Sequence, residues 1–109
     1  MTGRLVGAAA VICALLTIPA LAGETVVQVT LKDHKFTPAE VEAPAGKPLT
    51  VEVFNQDSTA AEFESKDLRV EKVTPAGGKA TVRVRPLKPG RYRFFDDYHE
   101  SAVGYLVVK

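Results

Sequence analysis

Short runs of alternating apolar and polar residues, separated by proline and glycine and never organised on a helical repeat, constrain this chain more than any other feature. Thr25 to Leu31 sets Val27, Val29 and Leu31 against Gln28 and Thr30, and Leu49 to Phe54 sets Leu49, Val51 and Val53 against Thr50 and Glu52. Side chains two apart share one face of a strand, so each run predicts a strand with a single buried side. Thr81 to Arg85 repeats the pattern with Val82 and Val84 inward, Arg91 to Phe95 does so with Tyr92 and Phe94, and Tyr105 to Val108 supplies a last strand. Shorter strands are expected at Glu40 to Ala43, Glu62 to Glu64 and Arg69 to Val73. The intervening Pro44-Ala45-Gly46, Pro75-Ala76-Gly77-Gly78 and Pro86-Leu87-Lys88-Pro89-Gly90 carry turn chemistry. The fold class expected is all-β, a Greek-key sandwich or small barrel of seven or eight strands.

The first 22 residues are of a different kind. Arg4 is followed by an apolar run from Leu5 to Ile18 and then by Pro19-Ala20-Leu21-Ala22, the small-x-small pattern of a secretory cleavage site. Residues 1–22 are therefore expected to be a signal peptide and residues 23–109 one exported, periplasmic domain. Cys13, preceded by the bulky Ile12, does not sit in a lipoprotein cleavage motif.

Removing that segment removes the only cysteine, Cys13, and the only methionine, Met1. A sulfur-free domain can hold no disulfide, no catalytic thiol, no iron–sulfur cluster and no copper centre built on Cys or Met. Arg4 is the only charge lost, which leaves 13 basic against 13 acidic residues. A neutral surface argues against nucleic acid as a partner. Nothing after residue 22 is apolar for long enough to form a membrane-spanning helix.

The remaining reactive inventory is two histidines and the carboxylates. The densest grouping is Asp96-Asp97-Tyr98-His99-Glu100, between two expected strands, where Asp96 or Asp97 and His99 can offer mixed imidazole and carboxylate ligation. In Ala61-Glu62-Phe63-Glu64-Ser65 a strand would put Glu62 and Glu64 on one face and Phe63 on the other. His34 follows the first strand and precedes Phe36-Thr37-Pro38. No serine stands in a nucleophile elbow, and Gly77-Gly78 lacks the setting of a phosphate loop.

Phe36-Thr37-Pro38, Pro44-Ala45-Gly46-Lys47-Pro48, Phe54-Asn55-Gln56-Asp57, Pro89-Gly90-Arg91-Tyr92-Arg93-Phe94, and His99 with Gly104-Tyr105-Leu106-Val107-Val108 together resemble the cupredoxin family over nearly all of residues 23–109. The resemblance implies a cupredoxin-like β-sandwich. Where blue-copper members carry a first histidine, this chain has Ala61-Glu62-Phe63; the cysteine position holds Asp96 and the methionine position falls near Ala102, so only His99 matches. Asp33-His34-Lys35-Phe36-Thr37-Pro38, Asn55-Gln56-Asp57, Glu62-Phe63-Glu64-Ser65 and Phe94 to Glu100 resemble the cupredoxin-like subunits of bacterial periplasmic ferrous-iron uptake systems. That likeness implies a periplasmic iron-binding protein and an inner-membrane permease as partners. It also implies that the loop after the first strand, the segment after Asp57 and the last loop meet at one end.

These readings converge on an iron or copper ion in a non-blue site whose metal ligands are drawn from His99, Asp96, Asp97, Glu62, Glu64 and His34. Carboxylates stabilise Fe(III) over Fe(II), so such a pocket would favour oxidation of bound ferrous ion. Such a pocket is compatible both with ferroxidase-like turnover and with a single oxidation followed by handover. The rival is a metal-free sandwich that binds a protein partner through its loops, with Phe95 or Tyr98 as an aromatic anchor. A metal-dependent hydrolase needs an open coordination position and a general base, and the sequence gives no substrate pocket to support it.

Overall fold

In a computed structural model that describes residues 25–109, nine strands form two sheets and no helix is present among the described residues. The strands are β1 (Thr25–Lys32), β2 (Lys35–Thr37), β3 (Glu40–Ala43), β4 (Leu49–Asn55), β5 (Ala61–Ser65), β6 (Val70–Thr74), β7 (Lys79–Val84), β8 (Gly90–Asp96) and β9 (His99–Val108). One sheet has the order β2-β1-β4-β7 and the other β3-β9-β8-β5-β6. The chain crosses repeatedly from one to the other, and β1–β4 and β3–β9 pair in parallel. This is the expected all-β sandwich. The expected signal peptide lies outside the described residues.

Alternation explains which side of each strand is dry. Val27, Val29 and Leu31 of β1 lie beside Leu49, Val51 and Val53 of β4 on the inner face of one sheet, and Ala80, Val82 and Val84 continue the layer from β7. The opposing sheet contributes Ala61 and Phe63, Phe94, and Ala102, Leu106 and Val108. At the centre Phe94 packs edge-on to Phe36, with centroids 5.0 Å apart, and lies 4.9 Å from Phe63. Gly104 is required beside this cluster, because a Cβ there would sit 2.5 Å from the Phe94 ring.

Three features differ from the sequence reading. There are nine strands rather than seven or eight, because Lys35–Thr37 pairs with the end of β1 and buries Phe36. The expected strand at Thr81 to Arg85 is shifted to Lys79–Val84, and the Arg85 guanidinium instead donates to the Leu68 carbonyl at 2.8 Å. The expected loop at Asp96 to Glu100 is a tight hairpin: only Asp97 and Tyr98 lie outside strands, and β9 begins at His99.

Candidate metal centre

One end of the sandwich gathers the β1–β2 turn, the segment after β4, and the β8–β9 hairpin. Each holds its functional side chain by a different local device.

The β1–β2 connection is two residues long, Asp33 and His34, with φ of 53° and 58°. Positive φ at both positions is the type I′ hairpin geometry, which matches strand twist and normally selects Asn-Gly or Asp-Gly. For a residue bearing a Cβ this conformation costs about 1–2 kcal/mol. Asp57 compensates from across the end: its carboxylate accepts the Asp33 N–H at 2.6 Å and the His34 N–H at 3.0 Å. The His34 N–H, with further help from the Asp33 N–H and the nearby imidazoles, holds the Asp57 carboxyl below its usual range despite partial burial. Asp57 Oδ2 also faces His34 Nδ1 at 3.5 Å.

Asp57 is itself fixed by Asn55. Its backbone N–H donates to Asn55 Oδ1 at 2.9 Å, an Asx turn. The buried Asn55 amide in turn donates to the carbonyls of Thr59, Thr74 and Pro75.

In the β8–β9 hairpin Asp96 points inward, opposite Phe63, and is wholly buried. A buried carboxylate must have its oxygens occupied. Oδ1 accepts the Glu62 N–H at 3.0 Å and the Tyr98 N–H at 2.9 Å, and Oδ2 meets His99 Nδ1 at 2.9 Å. Against a carboxylate acceptor the neutral imidazole carries its proton on Nδ1, so its Nε2 lone pair is available to a metal. A carboxylate behind a ligating histidine is the usual supporting arrangement at metal sites. The imidazole of His34 stacks on that of His99 with centroids 4.1 Å apart and an interplanar angle of 27°. The His34 side chain is 47% exposed and that of His99 31%, so both are open to solvent.

The six side chains singled out in the sequence thus fall into two groups. His34, His99 and Asp96 meet at the sandwich end. Glu62, Glu64 and Asp97 meet on the outer face of the five-stranded sheet, each with one oxygen within 4.8 Å of the others. Strand parity is the reason: Phe63 points inward and so turns Glu62 and Glu64 outward, and Asp97 follows the inward Asp96 with its N–H on the Glu62 carbonyl at 2.8 Å. Partial desolvation, Glu71 and Asp97 push the Glu62 carboxyl up to about 7, and desolvation with the same two acids raises Glu64. Tyr98 is half exposed at the hairpin tip, whereas Phe95 is covered, with the Arg93 guanidinium 4.9 Å from its ring centroid.

Asp57 is the residue holding this end together that the sequence reading did not single out. Its signal is the spacing of Asn55 and Asp57, the signature of an Asx turn immediately after a strand.

The donor chemistry excludes a thiolate or thioether centre, since residues 25–109 contain neither cysteine nor methionine. Imidazole nitrogens supplemented by water suit Cu(II), nickel, zinc or iron, and a cluster of oxygens suits harder ions. Both donor types fit a transition-metal ion; neither fits a blue-copper one.

A family model described as a cupredoxin-like domain matches residues 5–108. An uncharacterized protein of Rickettsia prowazekii (strain Madrid E), RP394, is 41% identical over 83 residues, covering 75% of this chain, and this chain spans 66% of that relative's length. Among solved structures, a purple cupredoxin from Nitrosopumilus maritimus matches with a TM-score of 0.59 at 20% identity, over 76% of this chain and 99% of that one. The metal-binding domain of the Cu(I)-exporting P-type ATPase CopA of Streptococcus pneumoniae D39, determined with Cu(I), matches with a TM-score of 0.69 at 15% identity, over 80% of this chain and 87% of that one. At these identities the structural likenesses speak to the fold.

Proposed function

Because the chain belongs to the cupredoxin-like domain family, we propose that it is a metal-binding protein of the periplasm that handles iron or Cu(II) within a ferrous-iron uptake system. The observation that carries this reading is the His99–Asp96 pair, an exposed imidazole whose Nδ1 is held at 2.9 Å by a fully buried carboxylate. Burying a charge is expensive, and the Glu62 and Tyr98 N–H groups that Oδ1 accepts would be served as well by a neutral amide oxygen. A fixed imidazole tautomer accounts for it.

Within the reading, His99 supplies the nitrogen ligand and Asp96 orients it. Glu62, Glu64 and Asp97 are the oxygen donors available to a harder ion such as iron, and crowding of their charges would be relieved by a cation. The uptake context is supported by the likeness of the Asp33 to Pro38, Glu62 to Ser65 and Phe94 to Glu100 segments to cupredoxin-like iron-uptake subunits. It supplies an exported iron-binding protein and an inner-membrane permease as partners. Export is supported by the Leu5 to Ala22 segment.

The test is titration of the tag-free domain with Fe(II) under anaerobic conditions and with Cu(II), followed by calorimetry and thermal melting. A metal bound only by the folded state raises stability by about 2.7 kcal/mol at one hundred times its Kd. The expected result is such a rise in the wild type and a loss of at least tenfold in Cu(II) affinity on His99→Ala. Absence of any metal-dependent rise overturns the reading in favour of a metal-free adaptor.

A further inference from the structure

Resting on the reading of a metal centre at His99, we infer that His34 is its second imidazole ligand, so that one divalent transition-metal ion takes a nitrogen from each of the two stacked rings while Asp57 and Asp96 act as positioning carboxylates. Cu(II) is the ion class that this nitrogen-rich, sulfur-free pair fits best.

The first support is the conformation of His34 itself. It occupies the second central position of a type I′ turn, with φ of 58°, where glycine is the unstrained choice. A histidine there gains nothing for the hairpin. Unfavourable backbone conformations persist where surrounding structure enforces them, and they concentrate at functional sites. Here the enforcing group is the Asp57 carboxylate, which is bonded to both backbone N–H groups of the turn and lies 3.5 Å from His34 Nδ1.

The second support is the convergence of two independently anchored rings. His34 is tied through Asp57 to the end of β4, and His99 through Asp96 to β5 and the β8–β9 hairpin, yet the two imidazoles lie 4.1 Å apart. Both Nδ1 atoms face carboxylate oxygens, which leaves Nε2 as the unengaged nitrogen of each ring. With metal–nitrogen bonds of about 2.0–2.1 Å, two imidazoles bound at right angles have centroids roughly 4.5 Å apart. The centroid separation is thus close to what a shared ion requires, and binding would open the present interplanar angle of 27° toward a right angle by rotation of the exposed rings.

The third support is that the acids singled out near the two rings are already committed or turned away. Both oxygens of Asp96 are engaged, Asp57 is committed to the turn, and Glu62, Glu64 and Asp97 lie on the outer face of the sheet. Two nitrogens with remaining positions open to water follow from this.

The experiment uses tag-free protein from which the N-terminal 22 residues have been removed, titrated with Cu(II) and examined by pulsed electron paramagnetic resonance. The chain has only two histidines, so the number of coordinated imidazoles assigns the ligands without ambiguity. Wild type is expected to show two. His34→Gly places the favoured residue in the turn, so its metal-free form should melt no lower than wild type. Its Cu(II) signal should fall to one imidazole, with affinity 10- to 100-fold weaker. Asp57→Asn, which removes one acceptor from the turn, should give a mixture of one-ring and two-ring signals. A wild-type complex with a single imidazole, or a His34→Gly protein that keeps wild-type affinity, overturns the assignment of His34 while leaving metal binding at His99 intact. Failure of the wild type to bind Cu(II) or Fe(II) at all overturns the assignment together with the reading on which it rests.

Discussion

Replacing Asp96 by asparagine should separate the folding role of the buried carboxylate from its role toward the metal. The substitution is nearly isosteric. Its Oδ1 can still accept the N–H groups of Glu62 and Tyr98, which now lie 3.0 Å and 2.9 Å from the carboxylate oxygen. The reverse amide orientation would set an amino group against two backbone donors, so these contacts fix which way the amide points. The Nδ2 group is then left opposite His99 Nδ1, in the place of an oxygen 2.9 Å away. A donor in that place requires Nδ1 to accept. The neutral ring must consequently carry its proton on Nε2, the nitrogen that would otherwise ligate.

Metal-free Asp96→Asn is therefore expected to remain within about 1 kcal/mol of wild type, since the weakening of three charge-assisted hydrogen bonds to neutral ones is offset by removal of a buried charge. Its affinity for Cu(II) should fall 10- to 100-fold, the usual range for losing a partner behind a ligating histidine. Asp96→Ala is different, because two part-buried N–H groups lose their acceptor at about 1–3 kcal/mol each, a total of roughly 2–6 kcal/mol. Urea unfolding of the metal-free proteins and calorimetric titration with Cu(II) at pH 7 measure both quantities. An Asp96→Asn protein with wild-type affinity would refute the tautomer argument, and an Asp96→Ala protein with wild-type stability would refute the role assigned to the buried oxygens.

Stability should also depend on pH through Glu62, whose carboxyl is pushed from 4.5 in the unfolded chain to about 7 in the fold. Between these values the folded state binds more protons than the unfolded one, so stability falls as pH rises through the window and levels off above it. Glu62→Gln should flatten that fall in melting curves taken from pH 4.5 to 8, and should raise the melting temperature at the alkaline end only. Asp57 acts in the opposite sense: its depressed carboxyl contributes stability above its ordinary value of 3.8, which is lost on acidification below that value. Gly104→Ala should destabilise by about 1–3 kcal/mol in urea unfolding, because the new methyl would lie 2.5 Å from a Phe94 ring already packed against Phe36 and Phe63. Asn55→Ala should cost about 2–4 kcal/mol, since it removes the amide's contacts to three carbonyls and the acceptor for Asp57. Metal titration of the same variant should show weaker binding.

The course of the chain was legible because strand faces are a parity property, and parity survives small errors in strand ends. Val27, Val29 and Leu31, or Val82 and Val84, keep their sides whether the strand is drawn one residue longer or shorter. Strand β2 escaped notice because three residues with one inward side chain, Phe36, make no alternating pattern. Its turn was equally hidden. Asp33-His34 lacks the glycine that marks a type I′ hairpin, and the group that stabilises it, Asp57, lies more than twenty residues away in sequence.

The same parity argument, carried one step further, decides how the acids divide. Phe94 and Asp96 are two apart on β8 and share the inner face, which commits Asp96 to the interior and to the one histidine within reach. Phe63 is inward on the neighbouring strand, which commits Glu62 and Glu64 to the outside, and Asp97 joins them because the hairpin reverses immediately after Asp96. The six candidates thus divide, Asp96 and His99 to the sandwich end and Asp97 to the outer face with Glu62 and Glu64. A β-sheet separates neighbours along the chain onto opposite faces, while residues as distant as 34 and 99 meet at its end. Metal affinity at that end should consequently respond to His34, Asp57, Asp96 and His99, and be nearly insensitive to neutralising Glu64, whose carboxylate belongs to the opposite face.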